Sequence, residues 1–467
     1  AVDLFDGTLD TERDRAATAG RLTLSLPAAT TGALLTRVPA VFHGGINDVL
    51  LTGLAVALLQ WGRRRGRGTN TGNRSAVLVD VEGHGREEIF SDVELSRTVG
   101  WFTSLYPVRL DPGALDLEEA MAGGAGLGRA LKRIKEQLHA VPDHGLGYGL
   151  LRYLNDETAE QLRGLNQPQI GFNYLGRFAA GAATDWGGAE EASALGGGGD
   201  PAMGMAHALE VNALTLDGDG STLSATWTWA PALLSEPEVR DLAQGWFAVL
   251  TSLVRHAAEP EAGGRTPSDL PLVALSQGEI ERLERDYPQL EDILPLSPLQ
   301  EGLLFHALYD AQGPDVYTVQ LVLGLDGPLD AAVLKAAVGA LLERHASLRA
   351  GFQHENLSRP VQIIVPVTQV PWRSLDLAAL DETTRAERLD DILAQDRAAH
   401  FDLSSPPLIR FTLIRLGEQQ HRLLLTGHHI LMDGWSMPVL VRELLALYAQ
   451  RGDATALPRV TPYRDYL

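Results

Sequence analysis

Alternation of apolar and polar residues predicts an antiparallel strand pair in the first half of the chain. The runs ALEVNALTL and TLSATWTWA, between Ala208 and Trp229, flank the turn-forming residues Asp217-Gly218-Asp219-Gly220. Alternation with a period of two is typical of half-buried strands, and Asp-Gly pairs favour hairpin turns. A shorter apolar run, from Ser75 to Val81, predicts a further strand.

Helical periodicity lies on both sides of these strands. NDVLLTGLAVALLQW predicts a buried helix with Asn47 at its N-cap, and the segment from Leu117 to His139 predicts a helix interrupted by glycines. Ser235 and Glu238 have the spacing of a capping box, which predicts the start of a helix reaching about His256.

A change of composition separates this half from the next. EPEAGGRTPSDL, at residues 259–270, is rich in Pro, Gly and charge, as interdomain linkers are, and a short helix capped at Ser276 follows. The pattern then predicts a helix after the cap Ser297-Pro298-Leu299-Gln300, a strand at 317–325, a helix at 330–345, strands at 408–416 and 422–426, and a helix at 436–448.

Composition excludes several classes of function. A chain of 467 residues is too long for one ordinary hydrophobic core, so more than one domain is expected. The 39 Lys plus Arg against 60 Asp plus Glu give a net charge of −21, which argues against a nucleic-acid partner. The absence of cysteine removes thiolate chemistry and fits a reducing compartment, so we expect a cytoplasmic protein. The N-terminus has no apolar leader, and the most apolar stretch, Val49 to Trp61, is too short to span a bilayer. We therefore expect no membrane association.

Two adjacent histidines carry the strongest candidate chemistry. His429 directly follows a predicted apolar strand and precedes a loop, a place from which side chains commonly enter a cleft. An imidazole with the ordinary pKa of about 6.5 can take a proton from an ammonium nucleophile or hold its amine, which suits amide formation from a thioester. Neighbouring strand residues point to opposite faces, so His428 and His429 cannot easily share a metal ion, and we expect no metal site. Taken alone, two adjacent histidines are more often hydrogen-bonded core residues than catalytic ones.

The whole string changes that interpretation. His428-His429-Ile430-Leu431-Met432-Asp433-Gly434, followed by Trp435-Ser436, resembles the HHxxxDG signature of condensation domains and of the related chloramphenicol-acetyltransferase fold. Ser297-Pro298-Leu299-Gln300-Glu301-Gly302 resembles the first condensation motif in the form associated with D-configured donors. Arg344-His345-Ala346-Ser347-Leu348-Arg349 resembles the second motif, and Tyr463-Arg464-Asp465-Tyr466 resembles the opening of the next.

This resemblance implies that the chain from about residue 288 is the N-terminal lobe of a condensation domain of a nonribosomal peptide synthetase. It makes His429 the catalytic or substrate-positioning histidine and His428 its structural neighbour. Asp433 corresponds to the structural aspartate, with Arg349 or else Arg344 as its partner. Gly434 has no Cβ and would let a substrate backbone approach closely.

Four segments of the first half resemble, in order, the later motifs of epimerization domains. They are Glu82-Gly83-His84-Gly85-Arg86-Glu87, Arg97-Thr98-Val99-Gly100-Trp101-Phe102-Thr103, Gly145-Leu146-Gly147-Tyr148-Gly149 and Phe172-Asn173-Tyr174-Leu175-Gly176-Arg177. Epimerization domains invert the α-carbon of a residue held as a thioester on phosphopantetheine. A carboxylate whose pKa is raised by partial burial can take or return the α-proton near neutral pH.

The resemblance makes Glu82 this carboxylate, with Arg86, Asn173 and Tyr174 lining the site. The family's opposite-face histidine belongs to a lobe that this sequence does not contain. Residues 1–257 are thus interpreted as the C-terminal lobe of an epimerization domain, 258–287 as a linker and 288–467 as the condensation lobe. The predicted fold is α/β: two chloramphenicol-acetyltransferase-like lobes, each a mixed or antiparallel sheet with packed helices.

The predicted function is epimerization of a carrier-bound aminoacyl or peptidyl thioester followed by amide formation with a D-configured donor. Carrier domains and neighbouring synthetase domains would be the partners, and phosphopantetheine would arrive on the carrier, with no cofactor bound directly. Two alternatives are a catalytically incomplete interaction fragment and an acyltransferase with a hybrid site joining Glu82 and His429. We expect the two sites to lie apart, and each lobe to expose apolar surface where its partner lobe is missing.

Overall fold

The computed structural model describes residues 4–5, 7–66, 76–87, 89–90, 92–179, 200–218, 220–309 and 316–467. The chain divides into two compact units, Ala1–Ser268 and Asp269–Leu467. This division falls inside the segment 258–287. The assignment of the two units as halves of two different domains stays a prediction.

The first unit is a six-stranded mixed sheet with packed helices. Its elements are β1 (Gly20–Leu26), α1 (Ala28–Phe42), α2 (Ile46–Arg64), β2 (Val77–Gly83), β3 (Ser104–Leu110), α3 (Leu117–Met121), α4 (Ala125–His139), α5 (Tyr148–Tyr153), α6 (Asp156–Arg163), β4 (Ile170–Ala179), β5 (Leu209–Asp217), β6 (Thr222–Trp229) and α7 (Glu236–His256). The strand order is β1-β6-β5-β4-β2-β3. β4 pairs in parallel with both β2 and β5, and the other neighbours are antiparallel.

Alternation along the strands gives the sheet one apolar face and one polar face. Val79, Val81 and Phe172 are buried in the core, where α2 and α7 supply most of the covering side chains. Glu82 and Asn173, at the intervening positions, are on the opposite face and only partly buried. We call this second surface the polar sheet face. The buried face supplies the apolar area that stabilises the unit.

Local sequence signals explain where several of these elements begin. Ser235 and Glu238 form the predicted capping box, with the Ser235 N–H donating to the Glu238 carboxylate at 2.9 Å. The predicted hairpin of β5 and β6 is confirmed, although Asp219 in its turn and Ser75 before β2 lie outside the described residues. The predicted Asn47 cap is wrong. α2 begins at Ile46, because the Asp48 carboxylate accepts the Gly45 N–H at 2.7 Å.

The second unit contains two small sheets. Its elements are α8 (Gln277–Asp286), β7 (Asp292–Pro295), α9 (Pro298–Tyr309), β8 (Thr318–Asp326), α10 (Ala331–Arg344), β9 (Ala350–Gln353), β10 (Val361–Ile364), β11 (Trp372–Asp376), α11 (Glu382–Ala398), β12 (Ile409–Arg415), β13 (Gln420–His428) and α12 (Ser436–Ala449). The sheet orders are β7-β10-β9 and β11-β12-β13-β8. Because both units combine mixed or antiparallel sheets with packed helices, the predicted α/β class is confirmed.

The core of the second unit holds β13 in place. Leu423 and Leu425 are buried among side chains of α10 and α12. β13 pairs with β12 on one side and β8 on the other. Its last residue, His428, pairs with Thr318 of β8, and its N–H donates to the carbonyl of Leu408, just before β12, at 3.0 Å. The paired strand therefore holds the backbone of the histidine pair in place.

Among the described residues, no single helix is long and apolar enough to cross a membrane. In the same described part of the chain, the sharply bent pair α1 and α2 reaches that length and composition when the two helices are taken together.

Candidate active sites

His428 and His429 point in opposite directions at the end of β13. The His428 side chain is buried, and its Nδ1 accepts the Ile430 N–H at 3.1 Å. His429 is exposed, and its backbone N–H donates to the Tyr317 carbonyl at 2.9 Å. The predicted division between a buried, hydrogen-bonded His428 and an outward His429 is confirmed, because strand alternation separates the two side chains.

A backbone carbonyl fixes the tautomer of His429. Its Nδ1 lies 2.7 Å from the Met432 carbonyl oxygen, which can only accept a hydrogen bond, so Nδ1 carries the proton. In the neutral ring, Nε2 then keeps its lone pair. His429 can therefore accept a proton or hold an amine at Nε2.

Four separate motif segments meet around His429. A groove of about 760 Å³ is lined by Ser297 to Gln300, by His345, Ser347 and Leu348, by His429 and the loop after it, and by Tyr463 and Tyr466. These segments are far apart in sequence, and the fold of the second unit brings them to one surface. The groove includes Trp435, whose side chain is 87% exposed. Its volume is in the range of small-molecule binding sites.

The predicted ion pair between Asp433 and an arginine is wrong. Asp433 is exposed, and its Oδ1 accepts both the Ser436 N–H at 2.9 Å and the Ser436 hydroxyl at 2.8 Å. Arg349 instead binds the Glu291 carboxylate at 2.6 Å, and Arg344 binds that of Glu443 at 2.8 Å. Both arginines thus pair with carboxylates other than that of Asp433, which the folding of this unit places beside them.

Asp433 still shapes the loop, through hydrogen bonds at the start of α12. The side-chain and backbone hydrogen bonds from Ser436 lower the pKa of the Asp433 carboxyl. Gly434, next to it, lines a pocket of about 150 Å³ that also includes His429. A Cβ at Gly434 would meet nothing within 4 Å, so the open space there is available to a substrate.

We expect Asp433→Ala to destabilise the second unit by about 1 kcal/mol, since it removes a capping acceptor from the first turn of α12. Asp433→Asn keeps an acceptor oxygen and should cost less than half as much. Urea unfolding of the two variants and the parent measures the difference. Equal losses in both variants would show that the negative charge matters, as in an arginine pair, and would contradict the capping role.

Glu82 lies on β2, on the polar sheet face of the first unit. Partial burial raises the pKa of its carboxyl, the negative charge of Glu210 raises it further, and a hydrogen bond from the Asn173 side chain opposes both effects. A carboxyl of this kind can exchange protons closer to neutral pH than an ordinary glutamate. The structure brings Glu82 and Asn173 together as the sequence predicts.

Arg86 and Tyr174 are placed differently from Asn173. The Arg86 guanidinium donates to the carbonyls of Leu95 and Thr98 and lies 4.3 Å from the centre of the Phe102 ring, so it anchors the 95–102 loop. Tyr174 packs against the core, and its hydroxyl lies 2.9 Å from that of Thr215. The structure therefore does not bring these two side chains to the polar sheet face.

Three of the four predicted epimerization segments line a second cavity. It has a volume of about 340 Å³ and includes Glu87, Trp101, Phe102 and Leu146. Trp101 is 94% exposed. Trp101 here and Trp435 in the second unit are both exposed large apolar side chains. That they mark the places of the missing partner lobes stays a prediction.

A charged cluster on the polar sheet face was not predicted from the sequence. His207, which is 7% exposed, lies with Nε2 2.9 Å from Oδ2 of Asp80 and Nδ1 3.3 Å from Oε1 of Glu210. Burial lowers the pKa of His207, but the hydrogen bonds and negative charges of the two carboxylates outweigh it and raise the pKa to about 9. The available signal was the polar residues at alternate positions of apolar strands, Asp80 and Glu82 on β2 and Glu210 on β5.

Within the described ranges, no group of three or more His, Cys, Asp or Glu side chains could hold a metal ion.

Comparison with protein families gives one match over most of the chain. A family model described as a condensation domain matches residues 8–270 and 290–467. A linear gramicidin synthase of Brevibacillus parabrevis is 38% identical over 477 aligned residues, covering 100% of this chain and 9% of that protein. Bacitracin synthase 1 of Bacillus licheniformis is 32% identical over 98% of this chain and 8% of its own length. The chain thus spans less than a tenth of these relatives.

Among solved structures, the epimerization domain from the third module of tyrocidine synthetase B shares 28% identity with the chain. The match covers 54% of this chain and 51% of that domain, with a TM-score of 0.42. The first condensation domain of the calcium-dependent antibiotic synthetase shares 29% identity, with a TM-score of 0.33 over 37% of this chain and 40% of that one.

Proposed function

The chain belongs to the condensation-domain family, and we propose that it spans an epimerization–condensation junction of a nonribosomal peptide synthetase. The observation that carries this proposal is the groove that four condensation-type segments line together, with His429 in one of them. In this proposal the first unit epimerizes a carrier-bound aminoacyl or peptidyl thioester. The second unit then joins the D-configured donor to an acceptor amine.

At the condensation site, His429 would act on the acceptor amine. Its Nε2 holds the amine and takes its proton as the nitrogen attacks the donor thioester carbonyl. The N–C bond forms, the C–S bond breaks, and the proton ends on the departing thiol. The hydrogen bond from Nδ1 to the Met432 carbonyl supports this role, because it keeps the ring oriented and polarises it towards accepting a proton at Nε2.

At the epimerization site, Glu82 would exchange the α-proton of the thioester. The carboxylate removes the proton on one face as the thioester carbonyl takes up the negative charge, and a group of the opposing lobe returns a proton on the other face. The raised pKa of Glu82 supports this assignment, since a stronger base is better matched to a weakly acidic carbon. Asn173 would hold the carboxylate in the productive orientation.

The substrates would arrive on carrier domains through phosphopantetheine arms, with neighbouring synthetase domains supplying the missing walls of each site. The two relatives described above are named as synthases of linear gramicidin and bacitracin. Their names support a role for this chain in the assembly of a peptide antibiotic.

One of the two alternatives is an acyltransferase in which Glu82 and His429 form one hybrid site. We expect the isolated 467-residue chain neither to exchange the α-proton of a carrier-bound aminoacyl thioester nor to form a peptide bond, because each site would have only half of its walls. The reaction is run in deuterated water and the thioester is then hydrolysed. The deuterium content of the released residue measures exchange, and its chiral analysis measures racemization. Racemization by the isolated chain would contradict separate half-sites and favour the hybrid site.

A longer protein that includes the opposing lobes is the matched control. It should carry out both reactions on the same carrier-bound substrates. If it has neither activity, the interaction-fragment alternative takes the place of the proposed function.

A further inference from the structure

The charged cluster beside Glu82 has a geometry that a neutral histidine could not satisfy. Both ring nitrogens of His207 face carboxylate oxygens, Nε2 that of Asp80 and Nδ1 that of Glu210. A neutral imidazole has only one N–H, whereas an imidazolium donates from both nitrogens. His207 is therefore a cation held between two anions.

The sheet is built to hold this ring. Asp80, Gly171 and Glu210 are adjacent across β2, β4 and β5 in the parallel pairing. The His207 ring lies over Gly171, where a Cβ would come within 2.8 Å of Nδ1. Glycine at this position therefore lets one ring reach the carboxylates of both flanking strands.

Glu82 follows Asp80 by two residues on β2 and therefore lies on the same sheet face. The charged and polar groups that act on its carboxyl are Glu210 on β5 and Asn173 on β4. Glu210 is thus shared: it binds the His207 cation and also repels the negative charge of Glu82. The hydrogen bonds of the His207 ring go to Asp80 and Glu210, so Glu210 is the group that links the His207 cation to Glu82.

We propose that His207 is a positioning residue for the proton transfer by Glu82, because its cation offsets the negative charge of Glu210, which acts on the Glu82 carboxyl. This inference rests on the proposed epimerization function of Glu82. Loss of the cation would leave two carboxylates uncompensated beside a third. Loss of Glu210 would remove one of these charges. The two changes therefore act on Glu82 in opposite directions.

The test is an NMR titration of the 467-residue chain with ¹³C-labelled glutamate carboxyls, in which Glu82→Gln identifies the Glu82 signal. His207→Gln should raise the Glu82 midpoint by about 0.5 pH unit or more, and Glu210→Gln should lower it by a similar amount. His139→Gln, an exposed histidine on α4, is the control and should leave the midpoint unchanged. Shifts in the same direction, or no shift, in the two variants would overturn the proposal, because structural damage alone would not separate them by sign.

A second readout needs no variant in the cluster. With ¹³C-labelled histidine, the His207 ring of the parent chain should stay protonated until about pH 9. Titration near the ordinary histidine value of about 6.5 would overturn the proposal. In the longer protein, His207→Gln should also move the acid limb of α-proton exchange to higher pH. These titrations can fail while Glu82→Gln still abolishes exchange, so failure of this inference and failure of the proposed function are distinguishable.

Discussion

Peptide-bond formation by the longer protein should fall by about 10²–10⁴-fold when His429 is replaced by alanine, the range expected for loss of a positioned proton acceptor. The expectation follows from the placement of the ring. Nδ1 is held by the Met432 carbonyl, so the lone pair at Nε2 can act on the acceptor amine. The variant loses this base while the buried His428 and its hydrogen bond to Ile430 remain. Single-turnover transfer from a loaded donor carrier to an acceptor amine measures the loss.

Gln395→Ala is the control, because Gln395 is exposed on α11 of the second unit and lines neither the groove around His429 nor the pocket that includes His428. Its rate should stay within about twofold of the parent. A His429 variant that retains the parental rate would remove this residue from catalysis. A variant that unfolds can be separated from this outcome by its circular dichroism spectrum.

Alpha-proton exchange should fall by about 10²–10⁴-fold in Glu82→Gln, because glutamine has nearly the same shape but cannot take up the proton. Burial and the charge of Glu210 make Glu82 a stronger base than an exposed glutamate. Exchange of deuterium from solvent into the carrier-bound residue reports this step without the need for peptide formation. Glu160→Gln, on the exposed surface of α6, is the control and should exchange at the parental rate.

The pH dependence of α-proton exchange is a second test of the role of Glu82. The raised pKa of Glu82 keeps part of the carboxyl protonated, and so unable to take up a proton, to a higher pH. As the pH falls, the exchange rate should therefore start to decrease at a higher pH than it would with an ordinary glutamate, whose pKa is about 4.3. An acid limb at the ordinary value, together with undiminished exchange in Glu82→Gln, would assign the base to another residue.

Local chemistry was sufficient to predict the elements that position the histidine pair. Strand alternation separates His428 from His429 whatever the rest of the fold does, and the capping box of Ser235 and Glu238 requires only residues three apart. The α2 start was misassigned because two polar residues, Asn47 and Asp48, compete for the same cap. Only Asp48 reaches the Gly45 N–H.

Contacts between distant segments were not predictable in this way. Arg349 and Arg344 were expected to meet Asp433, but packing in the second unit offers them Glu291 and Glu443 instead. The His207 cluster has the same origin, since its residues meet only through the parallel pairing of β4 with both neighbouring strands. No local pattern specifies which strands become neighbours in a sheet, and so the compensation of Asp80 by His207 could not be predicted from the sequence.

The most direct test of two separate activities is to measure both reactions in the longer protein with the same two variants. We expect Glu82→Gln to stop α-proton exchange but still to join a supplied D-configured donor at the parental rate. His429→Ala should stop peptide-bond formation and still exchange the α-proton at the parental rate. Loss of both reactions in either folded variant would contradict two separate sites and favour one hybrid site.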